Sequence, residues 1–158
     1  MLSVEPIKGG SNIDAAAAYY EGYVLGAEDP TARQHDEPSG KWIGGYAEQR
    51  GFAGETVQRG ELGQALKGYD PKSGEPAHSR AGRDDHQPGR DLTFSAPKSV
   101  SIVWAAASPE LQKQISDIQQ AAVEKALDYA AKSGAFVQRA GHGGVEKIPT
   151  RDVLIATF

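Results

Sequence analysis

The sequence contains no cysteine, which excludes disulfides and any thiolate zinc site. It has no apolar stretch near the roughly 20 residues that a membrane-spanning helix needs. The opening Met1-Leu2-Ser3-Val4-Glu5-Pro6 lacks the basic segment and apolar block of a signal peptide, so a cytoplasmic protein with no membrane role is expected. Basic charge is not in excess either: 17 Lys and Arg stand against 21 Asp and Glu, a net charge of -4. That balance lacks the positive footprint of a bulk nucleic-acid binder, but it leaves room for a local basic groove. What is present is ordinary, with 39% hydrophobic and 24% charged residues among 158. The length fits one domain that buries roughly two-thirds of its unfolded surface.

Periodicity organises the two ends of the chain better than its middle. Leu2 to Ile7 alternates weakly and reads as a strand, with Pro6 placing it at a sheet edge or strand end. Gly9-Gly10 breaks the chain, and Ser11 or Asn12 caps a helix through Asp14 and four alanines to Tyr19-Tyr20. From Gly22 to Gly89 little regular structure is legible beyond a short helix around Leu62 to Lys67. Asp29-Pro30, Glu37-Pro38-Ser39-Gly40, Tyr69-Asp70-Pro71 and Gln87-Pro88-Gly89 all read as turns. Asp91 to Ser95 alternates as a strand, and Pro97 opens a helix with Val100, Val103, Trp104 and Ala107 on one stripe. Ser108-Pro109-Glu110 starts a longer helix, closed by Lys132 and Gly134, that is expected to cover a sheet with Leu111, Ile115 and Ile118. Ala135 to Arg139 and the apolar run Val153 to Phe158 complete the expected strands. A domain that stops inside so apolar a strand reads as incomplete at its C-terminus.

Several side chains have the chemistry of a reactive site. Tyr19 and Tyr23 stand four apart and share a helix face, with Tyr20 pointing elsewhere. A tyrosine phenolate can attack a DNA phosphate, but a phenol with a pKa of about 10 needs a base or a metal to do so. The same spacing serves core or rim aromatics equally well. Asp91 opens a strand after a turn and reads as a group that orients a metal-binding histidine or takes a proton, or as a turn-stabilising aspartate. Lys98 and Ser99 start a helix, a place suited to a phosphate, and Arg80, Arg83, His86 and Arg90 form a basic run that either tracks a DNA backbone or is a solvated loop. The four histidines, His35, His78, His86 and His142, show no His-x-His pair and no helical i, i+4 pairing, so no complete metal site is legible.

Together these segments resemble a known family. Gly89-Arg90-Asp91-Leu92-Thr93-Phe94-Ser95-Ala96-Pro97-Lys98-Ser99-Val100-Ser101 is similar to the DLTFSAPKSVS signature of the MobF-class conjugative relaxases. Met1-Leu2-Ser3, the Tyr19-Tyr20 pair, Tyr23-Val24-Leu25-Gly26 and Lys41-Trp42-Ile43-Gly44-Gly45 follow in the family's order, so the resemblance spans nearly the whole chain. It implies an α+β fold, the relaxase palm, with an antiparallel sheet flanked by helices. The chain would be the N-terminal part of a single relaxase domain, 1–158.

The implied activity is site- and strand-specific nicking and rejoining of plasmid origin-of-transfer DNA through a covalent 5′-phosphotyrosine. The resemblance makes Tyr19 the nucleophile, Tyr20 its paired neighbour and Tyr23 a counterpart of the second tyrosine set, although only Glu21 and Gly22 separate it from the first pair. Asp91 resembles the acid beside the metal-binding histidines, and Lys98, Ser99, Arg80, Arg83 and Arg90 are the expected DNA contacts. The family's divalent metal, Mg or Mn, is held by three histidines that have no counterpart here and are expected beyond Phe158. These residues alone should therefore be inactive. The implied partners are single-stranded origin DNA and the other conjugation proteins of the relaxosome and type IV secretion coupling. The alternatives are a non-catalytic single-stranded DNA-binding module of the same fold and an interaction domain of a transfer apparatus.

Overall fold

The computed structural model describes residues 1–9, 12–25, 39–83 and 85–158. The Gly10 break, the Ser11 cap, the Asp29-Pro30 turn, the first two residues of the Glu37-Pro38-Ser39-Gly40 turn and His35 lie outside the described residues. The elements are β1 (Leu2–Pro6), α1 (Ile13–Val24), β2 (Lys41–Ile43), α2 (Gly45–Arg50), α3 (Glu61–Leu66), β3 (Arg90–Phe94), α4 (Lys98–Ala106), α5 (Pro109–Lys132), β4 (Val137–Ala140), β5 (Glu146–Pro149) and β6 (Ile155–Thr157). The strands pair two by two, β1 with β3, β2 with β6 and β4 with β5. The last two pairs are antiparallel, giving the expected mixture of helices and antiparallel strands. The chain divides into two compact units.

The unit made of Glu5–Asp91 and Leu154–Phe158 holds the main core. Ile13, Ala17 and Val24 of α1 are buried together with Leu62 and Leu66 of α3, and Trp42, Ala47, Phe52 and Val57 join them. Much of this core comes from the stretch that looked irregular in sequence. Its elements are only three to six residues long, too short for a periodic pattern to emerge. Glycines punctuate them: Gly51 ends α2 with φ 80° and Gly60 precedes α3 with φ 84°, backbone conformations that a Cβ disfavours. The Trp42 indole, 1% exposed, donates to Glu61 Oε2 at 2.8 Å, so the largest buried side chain has its polar atom satisfied. Asp70, 2% exposed, accepts from the Lys72 and Ser73 backbone N–H groups and from the Tyr46 hydroxyl, each at 2.9 Å. The β2–β6 register pairs Trp42 with Ala156, which brings residues 154–158 into this unit.

The other unit, Met1–Val4 with Leu92–Val153, carries α4, α5 and the β4–β5 hairpin. Ser108 caps α5 by accepting from the Leu111 N–H, with proline at the first helical position, as the sequence indicates. Trp104 of α4 donates to Ser116 Oγ of α5 at 3.3 Å. The expected covering stripe on α5 is corrected: Leu111 is 43% and Ile118 69% exposed, and Leu127 is the helix's buried residue. An apolar stripe fixes which face of a helix avoids water, but it does not supply the surface that covers that face. Strand β5 was missed in sequence because its register partner β4 is joined to it through a 3-10 turn at His142–Gly144, whose glycines obscure the alternation.

Candidate active site

The tyrosine cluster follows from the way α1 packs. Ile13, Ala17, Tyr20 and Val24 fall on one stripe, with Ile13, Ala17 and Val24 buried and Tyr20 packed against the core edge. Gly63 of α3 faces Ala17 with no side chain of its own, which lets the two helices approach. The Glu21 carboxylate accepts the Gly60 N–H at 2.9 Å and ties the end of α1 to the start of α3. Tyr19 and Tyr23 occupy the adjoining face, 60% and 37% exposed, with ring centres 5.2 Å apart. The helix runs on through Val24, beyond the sequence-based end at Tyr20, so all three tyrosines share one rigid element.

Tyr20 turns towards β3 and donates its hydroxyl proton to Asp91 Oδ2 at 2.9 Å. Burial, then this hydrogen bond and the carboxylate's charge, pushes the Tyr20 phenol up to about 12. The Tyr19 phenol is also raised, first by its hydrogen bond with Tyr23 and then by the charge that Tyr23 would carry, with Asp91 adding a smaller push. Tyr20 is therefore a neutral phenol that holds Asp91, and Tyr19 is the more exposed ring beside it, its hydroxyl hydrogen-bonded with Tyr23. Phe158 completes the cluster, with its ring centre 6.1 Å from Tyr20 and 6.2 Å from Tyr23. Sequence reasoning treated Phe158 only as the end of a strand. The period of two in Ile155, Thr157 and Ala156, Phe158 carries the signal, but it needs the β2–β6 register to say what each face meets.

The structure thus brings together Tyr19, Tyr20, Tyr23 and Asp91, four of the sequence candidates, in one unit. The basic candidates fall in both units. Arg80 and Arg83 both pair with the Asp85 carboxylate, at 2.5 and 3.1 Å, which reduces the positive charge they offer to a phosphate. Arg90 begins β3 with its side chain exposed. Lys98 and Ser99 open α4 in the other unit, exposed at its N-terminus after Pro97. His142 lies in the β4–β5 connection, while His78 and His86 stand with ring centres 4.8 Å apart in the loop before β3. Among the described residues no three His, Asp or Glu side chains converge to hold a metal ion, so the residues described here do not fit a three-ligand metal. Among them, too, no helix is long and apolar enough to cross a membrane.

Comparison with known proteins decides the family. Residues 13–158 match the model of the TrwC relaxase family, a span that includes all three tyrosines and Asp91. The chain belongs to that family. This relaxase chain is 30% identical to the multifunctional conjugation protein TraI of Escherichia coli over 162 aligned residues, covering 100% of this chain and 8% of that protein. It is 31% identical to TraI of strain K12 over 118 residues, covering 75% of this chain and 6% of that protein. Among solved structures it resembles the conjugative relaxase TrwC in complex with oriT DNA. The metal-bound form gives a TM-score of 0.67 at 29% identity, covering 99% of this chain and 49% of that one. The copper-bound form gives 0.63 at 31% identity, with 99% and 50% coverage. The chain thus spans about half the length of these TrwC chains and under a tenth of the TraI proteins.

Proposed function

We propose that this chain is the nucleophile-bearing part of a conjugative relaxase domain, 1–158, and that it acts on single-stranded origin-of-transfer DNA. The match to the family from residue 13 to 158 crosses both units and supports reading them as parts of one domain. The observation that carries the chemistry is the division of labour among the tyrosines. Tyr20 is engaged with Asp91 at 2.9 Å, and of the two remaining tyrosines Tyr19 is the more exposed, 60% against 37%. In the nicking step the Tyr19 oxygen loses its proton to a base and bonds to phosphorus. The bond from phosphorus to the 3′ oxygen breaks, and that oxygen takes up a proton as it leaves with its strand. The products are a 5′-phosphotyrosine and a free 3′ hydroxyl. Attack by that hydroxyl reverses every step and rejoins the strand.

Asp91 bears on this step through Tyr20 and through its charge. Its charge adds a small push to the Tyr19 phenol, after the hydrogen bond and the charge of Tyr23. Tyr23 holds the Tyr19 hydroxyl through that hydrogen bond, and a second nucleophilic role for it is not required by the balance above. A divalent metal, Mg or Mn, would polarise the scissile phosphate. We assign its three histidine ligands to sequence beyond Phe158, and we expect these residues alone to give no cleavage. Phosphate contacts fall to Lys98, Ser99, Arg80, Arg83 and Arg90. A cytoplasmic location and partners in the relaxosome and type IV secretion coupling complete the reading.

The test compares two chains carrying labelled origin oligonucleotide and Mg or Mn, one ending at Phe158 and one continuing past it. A denaturation-resistant protein–DNA band is expected only from the longer chain, and Tyr19→Phe should abolish it while Tyr129→Phe, an exposed tyrosine on α5, should not. A band of undiminished strength from Tyr19→Phe would overturn the assignment.

A further inference from the structure

The loop between α3 and β3 contains one anomaly that the nuclease reading does not use. His86 Nε2 is buried and has no hydrogen-bond partner, an uncommon condition for a polar atom and one that ordinarily marks a missing water or ion. The ring also hydrogen-bonds the Leu66 backbone, and in the neutral form protonated at Nδ1 the Nε2 atom carries a free lone pair. The His78 ring lies 4.8 Å away, centre to centre, tilted by 38°. Two imidazoles bound to one ion through nitrogen at about 2.1 Å, at a near-tetrahedral angle, have ring centres roughly 5 Å apart. The observed pair has that spacing.

His78 supplies the second nitrogen. Its Nδ1 accepts the Arg80 N–H at 3.1 Å, so Nε2 is the nitrogen left for another use. Gly68 packs closely against that edge of the ring, where a Cβ built on it would lie 2.8 Å from Nε2. His86 lines a cavity of about 490 Å³ with Pro6, Ile7, Lys8, Gly9, Asp85 and Gln87.

We propose that His78 and His86 form a two-imidazole site for a late first-row divalent cation, with water completing its coordination. Imidazole suits copper, nickel, cobalt and zinc, whereas magnesium and calcium favour oxygen ligands. Binding through His78 Nε2 shifts that ring's proton to Nδ1, and the Arg80 N–H, on an exposed residue, then turns to solvent. No net proton is released, because both rings ligate as neutral imidazoles. Burial first, and then the positive charge of Arg80 among the smaller causes, holds both rings below the ordinary histidine range, so lone pairs are available at neutral pH. The Arg80 and Arg83 guanidinium groups nearby are paired with Asp85, which lowers their repulsion of a cation.

The site is distinct from the tyrosine cluster, and its failure would leave the nuclease reading untouched. The test titrates the chain with Co²⁺, read by its visible absorption, and with Zn²⁺, read by calorimetry. His78→Ala, His86→Ala and the control His142→Ala are measured beside the unchanged chain. One equivalent should bind, with affinity falling at least tenfold in either pair variant and staying unchanged in the control. Circular dichroism checks that each variant folds, and if His86→Ala does not, the exposed His78 decides alone. Affinity unchanged in His78→Ala, or lost equally in His142→Ala, would overturn the proposal.

Discussion

Replacing Tyr20 with phenylalanine tests the link between the first helix and Asp91 through pH. The substitution keeps the ring, which packs against the core edge, and removes the donor of the 2.9 Å hydrogen bond. In the folded chain the phenol is pushed from its ordinary value of 10.0 up to about 12. The folded state therefore keeps a proton that the unfolded chain gives up above about pH 10. The stabilisation is fully present below that pH and is lost as pH rises towards 12. Taken at face value the shift is worth about 3 kcal/mol, but the ring is partly solvent-accessible, and screening reduces this to about 1 kcal/mol. For a chain of this size that is a change in melting temperature of about 2–4 °C. Thermal melts of the unchanged chain and Tyr20→Phe should differ by that amount at pH 8, with most of the difference gone at pH 11.5. A difference that is the same at both pH values would show that burial and the Asp91 bond together do not hold the Tyr20 proton, and the division of roles among the tyrosines would fall with it.

Asp70→Asn removes a buried carboxylate that accepts three hydrogen bonds, and it should cost about 1–3 kcal/mol in urea denaturation at pH 7. Burial pushes the Asp70 carboxyl up, but the Ser73 and Lys72 backbone N–H groups and the Tyr46 hydroxyl outweigh it and hold it below the usual range. The stability it contributes is present above about pH 4 and is lost as pH falls through the folded value, so the variant and the unchanged chain should converge in acid. Gly40→Ala should destabilise the β2–β6 pair by about 1–3 kcal/mol or more, because the new Cβ would collide with the Thr157 carbonyl and lie 2.9 Å from Val24 Cγ1. Hydrogen exchange at residues 41–43 should then rise relative to α5. Lys98→Ala should weaken binding to single-stranded oligonucleotides of any sequence and reduce the salt dependence of binding by about one phosphate contact. An unchanged salt slope would remove Lys98 from the interface.

The long helices and the reactive cluster were legible because their signals are local. Ser108-Pro109 states the start of α5 within two residues, and Tyr19 and Tyr23 meet because helical spacing alone brings them together. The Tyr20–Asp91 bond joins residues 71 apart, and helical spacing says only that Tyr20 faces away from its neighbours. The core around Trp42 was hidden for a related reason. Its elements are a few residues long, and the indole's partner, Glu61, reads in sequence as one more surface acid. The exposure of Leu111 and Ile118 marks the opposite error, where a strong periodic stripe was taken to imply a covering surface. The His78–His86 pair was invisible because seven residues separate the two histidines and no motif spacing joins them.

The account rests most directly on which oxygen carries the DNA. A relaxase chain containing these residues and continuing past Phe158 is reacted with a 3′-labelled origin oligonucleotide and metal, trapped by denaturation and digested with protease and nuclease. Peptide mass spectrometry then locates the retained nucleotide. The account predicts a single modified peptide spanning α1, with fragment ions placing the phosphodiester on Tyr19 and leaving Tyr20 and Tyr23 unmodified. A nucleotide on Tyr20 would contradict it, because Tyr20 would then be the nucleophile rather than the phenol that holds Asp91.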